Sequence, residues 1–317
     1  MEYISPKRLR PGSRVAIIVP SSPFESDELA EGLDIISEAG LIPILGPNVA
    51  NLKSQNIHGA SVEERVDEIE WAFTEPDIDG VITATGGMGS AAVLPYLPYP
   101  LIRQSRRSLL GFSDITALNN GILAGAGLIS INGQTPSIRL DKEKYRISDG
   151  ESLRFTLELM MSSQLWADRP LEMNQRMPRT VFPGRAMGHA IGGNFDTFKC
   201  LIGTPHMPET RGAILFVEDT HISPDNLSRE FLQLKLSGHL EQLAGIVIGE
   251  FIDVPKSKGP RDPSIDDVIE EYLRNLGIPC VYGYSFSHGP YTIPIPIGAM
   301  TMLDADTGEI SFQFNMG

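Results

Sequence analysis

The sequence predicts an α/β fold: an N-terminal parallel sheet flanked by helices, plus a smaller mixed α/β C-terminal domain. Three observations carry this. Short continuous apolar runs alternate with helical spacing through the first half, the pattern of strands buried on both faces. Those runs end in Gly, Ser and Pro turns, and α/β sheets hold their ligands in the loops at the carboxyl ends of strands. The second half keeps apolar strands but closes on a hairpin pattern, which brings in antiparallel pairing.

The first strand covers residues 14–19 and is closed by Pro20, Ser21, Ser22 and Pro23. Helical spacing follows over about 26–39, stopped by Gly40. Residues 41–45 form a second short strand. Ser61 followed by Glu64 is a capping-box pattern, and Val66, Ile69, Ala72 and Phe73 behind it place one apolar stripe on a helix. A third strand over 80–84 runs into the glycine loop Thr85-Gly86-Gly87-Met88-Gly89-Ser90. A fourth, over 107–111, pivots at Phe112, Ser113 and Asp114 into helical spacing at Ile115, Leu118, Ile122 and Leu123. A strand over 127–131 completes this half.

Residues 162–183 break the rhythm with several prolines and arginines, little periodicity, and Trp166. Two domains are expected in a chain of 317 residues: 1–161, a linker over 162–183, and 184–317. In the second half, 212–217 and 244–249 read as core strands, with an apolar helical segment at Phe231, Leu232, Leu234 and Leu236 between them. A helix follows over about 264–274, and 299–304 with 309–314 read as a hairpin about Asp306, Thr307 and Gly308.

The formal net charge of −14 argues against a nucleic-acid partner, because phosphate binding needs clustered Lys and Arg. No apolar run approaches the roughly 20 residues that span a bilayer, and residues 1–8 lack the apolar core of a secretory signal. A cytoplasmic location is expected. Cys200 and Cys280 read as buried free thiols, with no metal-ligand spacing around them.

Ser113 is the centre of the chemistry. A serine at a sharp strand-to-helix turn projects its hydroxyl off the sheet, where the first N–H groups of the helix can bind developing negative charge. The simpler alternative is that Ser113 or Asp114 caps the helix. An activated serine needs a base and a group to orient that base. Among His58, His189, His206, His221, His239 and His288, His288 stands out: it follows a short apolar strand and sits in a loop with Gly and Pro, where a rigid scaffold presents an imidazole. Glu218, at the carboxyl end of the 212–217 strand, is placed to orient it; Asp219 is the alternative.

The glycine loop supports two readings. Gly87-x-Gly89-x-x-Ala92 fits a dinucleotide fingerprint, with Arg106 and Arg107 some way on to meet a 2′-phosphate. That reading makes the chain an NADP- or nucleotide-binding protein. In the other, the N–H of Gly86 or Gly87 joins that of Asp114 in an oxyanion hole beside Ser113.

These segments occur together and in order: the glycine loop, residues 111–118, Ile191-Gly192-Gly193-Asn194-Phe195, residues 214–219 and Ser287-His288-Gly289. Their succession resembles the LD-carboxypeptidase family of serine peptidases, which includes the microcin C self-immunity proteins, and the similarity covers nearly the whole chain. The resemblance implies Ser113 as nucleophile, His288 as general base and then acid, and Glu218 as its orienter. It also implies a site in the cleft between domains, a homodimer, and no metal or organic cofactor. The substrate it implies is a cytoplasmic murein tetrapeptide losing a terminal D-alanine, or, for the immunity branch, the amide of a peptidyl or aminoacyl nucleotide. Many of the carboxypeptidases carry Arg before the paired glycines and Tyr after them, where this chain has Thr85 and Met88. Arg pairs a carboxylate bidentately and Thr does not, which favours the immunity branch. The Ser287-His288-Gly289 loop favours the carboxypeptidases.

Overall fold

The structure, a computed structural model, describes residues 2–24, 26–50, 58–138, 143–162, 178–255, 259, 263–314 and 316. Trp166 and most of the expected linker lie outside the described residues. The strands in chain order are β1 (Arg14–Ile18), β2 (Ile42–Leu45), β3 (Gly80–Thr83), β4 (Ser108–Gly111), β5 (Ser130–Asn132), β6 (Arg179–Phe182) and β7 (Arg185–Asn194), then β8 (Ile214–Thr220), β9 (Gly245–Ile252), β10 (Cys280–Tyr284), β11 (Ile295–Ile297), β12 (Met300–Asp304) and β13 (Glu309–Gln313). They form two sheets. The first has the order β11-β5-β4-β3-β1-β2 and the second β13-β12-β7-β8-β9-β10-β6.

In the first sheet β2, β1, β3, β4 and β5 are all parallel. Every residue of β3 and β4 is buried, as the unbroken apolar runs require. β2 is the edge, which is why it tolerates Pro43. The other edge is β11, which comes from near the end of the chain and pairs antiparallel with β5. In the second sheet β7, β8, β9 and β10 are parallel, and β6, β12 and β13 add antiparallel edges. β12 and β13 are the expected hairpin. β6 lies within the stretch read as a linker.

The capping box at Ser61 forms: Ser61 Oγ accepts from the Glu64 N–H at 3.2 Å, and Glu64 Oε2 accepts from the Ser61 N–H at 2.9 Å. Helix Thr116–Ala126 departs from the amphipathic expectation, because nearly all of it is buried, Asn119 and Asn120 included. It packs against strands of both sheets, so no face is left for water. In helix Pro224–Leu236 the buried stripe is Leu227, Glu230, Phe231 and Leu234, while Leu232 and Leu236 face solvent. Cys280 is buried as expected, but Cys200 is exposed. It follows helix Phe195–Lys199, whose inner face is taken by Phe195 and Phe198. No described helix is long and apolar enough to cross a membrane.

Candidate active site

β4 delivers its chain to Phe112, still extended at φ −141°, and Ser113 then turns into the left-handed region at φ 61°. A non-glycine residue there costs about 1–3 kcal/mol and persists only where its surroundings impose it. Gly111 permits the sharp reversal: a Cβ there would stand 2.2 Å from Ile115 Cγ2. The turn Ser113–Ile115 leads directly into helix Thr116–Ala126. Neither Ser113 nor Asp114 caps that helix, which corrects the simpler reading of these residues. Phe112 is the N-cap of the turn and makes no side-chain cap bond.

Asp114 instead ties loops together. Its buried carboxylate accepts the Ser21 hydroxyl at 2.6 Å and the Ser90 N–H at 2.8 Å. Ser22 Oγ in turn accepts the Met88 N–H at 3.0 Å. Arg65, buried beneath, donates from Nη1 to the carbonyls of Pro20 and Gly89, both at 2.9 Å. The glycine loop is thereby pressed onto the elbow. A Cβ on Gly86 would lie 2.8 Å from Ser113 Cβ, so only glycine lets this backbone lie against the serine. The N–H groups of Gly86, Gly87 and Asp114 donate to no other group among the described residues.

The dinucleotide reading of this loop fails on three counts. The segment after it is the 3₁₀ turn Ser90–Tyr96 rather than an α-helix. Its first N–H, on Ser90, is already taken by Asp114. Arg107 turns inward to the carbonyls of Ala72 and Glu75, and Arg106 donates to that of Ser5, so neither awaits a 2′-phosphate.

The second sheet supplies the partners. Glu218, wholly buried on β8, sits beside Gly249 of β9, where a Cβ would come within 2.9 Å of its own. His288 follows β10 in a loop anchored by Phe286, which packs edge-on against Phe216, and by Thr292, whose hydroxyl donates to the Ser287 carbonyl at 2.9 Å. His288 Nδ1 lies 2.7 Å from Glu218 Oε2, and the backbone N–H of His288 donates to the same oxygen at 3.2 Å. His288 Nε2 lies 3.0 Å from Ser113 Oγ. The Phe112 ring backs the imidazole, with centroids 4.7 Å apart. Of the two carboxylates that the sequence left open, Glu218 meets the histidine. Asp219 points away, and burial, reinforced by neighbouring Glu218, pushes its carboxyl up to about 6.

The two halves of the site are registered by the Ile191–Phe195 segment, for which sequence reasoning gave no role. Asn120 exchanges two hydrogen bonds with the backbone of Gly192, at 2.8 and 3.0 Å. The Asn194 N–H donates to Thr116 Oγ1 at 2.9 Å. Gly193, at φ 134°, lets the chains touch, since a Cβ there would meet Thr116 Oγ1 at 2.4 Å. Asn194 Nδ2 reaches Glu218 Oε1 at 3.3 Å. The paired glycines followed by Asn were the available signal.

No group of three or more His, Cys, Asp and Glu side chains among the described residues is arranged to hold a metal ion. A cavity of about 640 Å³, lined in part by Arg8, Arg10, Asp79 and Arg107, lies at the amino ends of β1, β3 and β4, away from Ser113.

Residues 15–133 match the LD-carboxypeptidase N-terminal domain and residues 187–303 the C-terminal domain. The chain is 30% identical to a probable murein peptide carboxypeptidase of Bacillus subtilis, over 94% of this chain and 91% of that one. The chain belongs to the LD-carboxypeptidase family. Another relative is the microcin C7 self-immunity protein MccF of Escherichia coli, 27% identical over 92% of this chain and 90% of that one. A structure of MccF in complex with aspartyl sulfamoyl adenosine has the same fold, with a TM-score of 0.85 at 24% identity over 99% of both chains. The muramoyltetrapeptide carboxypeptidase of Oxalobacter formigenes is similar at a TM-score of 0.78 and 26% identity, over 95% of this chain and 98% of that one.

Proposed function

We propose that this LD-carboxypeptidase family member is a serine peptidase that releases terminal D-alanine from murein tetrapeptides, with Ser113, His288 and Glu218 as its catalytic residues. The observation that carries the reading is the unbroken chain from Ser113 Oγ through the His288 ring to Glu218 Oε2, at 3.0 and 2.7 Å. Ser113 Oγ attacks the carbonyl carbon of the scissile amide while its proton passes to His288 Nε2. Glu218, desolvated and acceptor-only, holds Nδ1–H and stabilises the imidazolium that forms. The tetrahedral oxyanion takes hydrogen bonds from the N–H groups of Gly86 or Gly87 and Asp114, donors free of other partners and fixed before the substrate arrives. His288 gives its proton to the departing amine nitrogen as the C–N bond breaks. A water then adds to the acyl-enzyme by the same route, and Ser113 leaves with the proton returned to Oγ.

The same reading takes residues 1–161 as the nucleophile-bearing domain and 184–317 as the domain carrying Glu218 and His288. It takes the working protein as a cytoplasmic homodimer. A second substrate class is favoured by one feature. Thr85 and the exposed Met88 flank the paired glycines, so this loop offers no cation to a substrate carboxylate. An apolar, polarisable side chain there suits contact with the aromatic base of an aminoacyl or peptidyl nucleotide, the immunity-type substrate.

The test is release of free D-alanine from a muramoyl tetrapeptide by wild-type and Ser113→Ala protein, with an aminoacyl sulfamoyl adenosine as second substrate. D-alanine release by wild type alone supports the carboxypeptidase reading, and cleavage of only the second substrate moves the assignment to the immunity type. Equal turnover by Ser113→Ala removes Ser113 as nucleophile.

A further inference from the structure

Asp219 is buried beside the catalytic carboxylate and takes no part in the acyl transfer described above, yet its hydrogen bonds lead straight to it. Its Oδ1 accepts from Asn194 Nδ2 at 3.1 Å and from the Thr220 N–H at 2.7 Å, and its Oδ2 from the Asp196 N–H at 3.1 Å. The other hydrogen of Asn194 Nδ2 goes to Glu218 Oε1, the oxygen that His288 leaves free. The Asn194 amide has only one orientation available. Its Oδ1 accepts from the Thr197 N–H at 3.2 Å and the Thr197 hydroxyl at 3.0 Å, so its NH₂ must face the two carboxylates. A buried amide shared by two carboxylates couples their positions.

We propose that Asp219 is a positioning residue for the reaction: through the Asn194 amide it fixes the rotamer of Glu218, and its negative charge adds to that of Glu218 in favouring the His288 imidazolium. The proposal rests on the assignment of Ser113, His288 and Glu218 made above. The charged groups around Asp219 are few. Glu218 adjoins it on β8, and helix Phe195–Lys199 presents the Asp196 N–H to it, with the Asp196 carboxylate and Lys199 on the same helix. Glu230 approaches from helix Pro224–Leu236, and His288 lies beyond Glu218. Lys199 is committed to Asp196 at 2.6 Å and Glu230 at 2.8 Å, and β9 presents Phe251 at this register. No cation among these is paired with Asp219, so its charge is felt by Glu218 and by the imidazole behind it. Burial that pushes the Asp219 carboxyl up to about 6 leaves it ionised at neutral pH and ready to titrate on the acid side.

The experiment follows the rate at which a fluorophosphonate phosphonylates Ser113 between about pH 5 and 9, which needs no knowledge of the substrate. Asp219→Asn keeps one acceptor and removes the charge. Its plateau rate is expected to fall about tenfold or more, in the range seen when a second partner of a reactive group is lost. The acidic limb should move down by about half a pH unit, because one negative charge beside the imidazolium is gone. Asn194→Ala cuts the link and leaves Asp219 in place, so its plateau should fall while its limb moves less than that of Asp219→Asn. A wild-type profile for Asp219→Asn overturns the proposal, and so does a lower plateau with an unmoved limb, which is what a purely structural role gives. If Asp219→Asn loses its cooperative melting transition, Asn194→Ala decides alone, and a plateau within about twofold of wild type overturns the proposal. Ser113→Ala is the control: labelling of that variant at the wild-type rate defeats the assignment of the nucleophile, a different failure.

Discussion

Replacing Gly193 with Ala tests whether the close approach of the two sheets sets the active-site geometry. The added methyl would meet Thr116 Oγ1 at 2.4 Å and Thr116 Cγ2 at 3.0 Å, at a backbone φ of 134°. Left-handed strain of this kind costs about 1–3 kcal/mol, and overpacking a filled interface about 1–3 kcal/mol more. The sum, about 2–6 kcal/mol, corresponds to a fall in melting temperature of roughly 3–9 °C in a chain of this size. Relief by separation would pull Asn194 and β7 from the helix that follows Ser113, and Glu218 and His288 with them. A shift of about 1 Å in reacting groups costs on the order of 10² in rate. Thermal melts and the phosphonylation rate of Ser113 read the two effects separately. In a double-mutant cycle, Thr116→Ala should recover part of the loss, with a coupling of about 1–3 kcal/mol. A Gly193→Ala protein with wild-type melting and labelling would falsify the reasoning, as would strict additivity with Thr116→Ala.

Two further substitutions separate function from stability. Gly86→Ala requires no left-handed backbone, and its methyl meets Ser113 Cβ at 2.8 Å and Ser113 Oγ at 3.3 Å. Labelling of Ser113 should fall about 10²-fold, as for a lost oxyanion donor, with melting lowered by about 2–5 °C from overpacking alone; a labelling rate within twofold would place this loop outside the reaction. Glu230 is a stability probe. Burial pushes its carboxyl up to about 8 against the opposing pull of Lys199 Nζ at 2.8 Å, so the folded state holds a proton more tightly than the unfolded chain, which releases it near 4.5. Its contribution to stability is fully present below the unfolded value and is lost as pH rises through about 8. Linkage puts that loss at about 4 kcal/mol between roughly pH 5 and 9. Urea melts should therefore show wild-type stability declining over this range and Glu230→Gln declining much less; equal slopes would mean that Glu230 is not held protonated.

What the sequence determined by itself is what consecutive residues encode. The short, mainly apolar runs of β3 and β4 read as strands buried on both faces because they last only four residues between turn signals, too few for a helix. Ser61 and Glu64 make their capping box with each other, so three residues of spacing sufficed. Ser113 stood out because a strand, a tight turn and a helix succeed one another within a few residues, and His288 because its loop carries glycine and proline.

Tertiary structure decided everything that depends on which side of an element faces what. Glu218 and Asp219 are neighbours with the same chemistry and share the Asn194 amide, but the fold turns one to His288 and the other to the N–H of Asp196. Helix Thr116–Ala126 is buried all round because a second sheet arrives against it from residues beyond position 180. β11 completes the first sheet from near the end of the chain for the same reason. Ser113 and His288 stand 175 positions apart in the chain and 3.0 Å apart in space. Local spacing carries propensity and turn chemistry, whereas that distance is fixed by Gly192, Gly193 and Asn194 seating one sheet on the helix of the other.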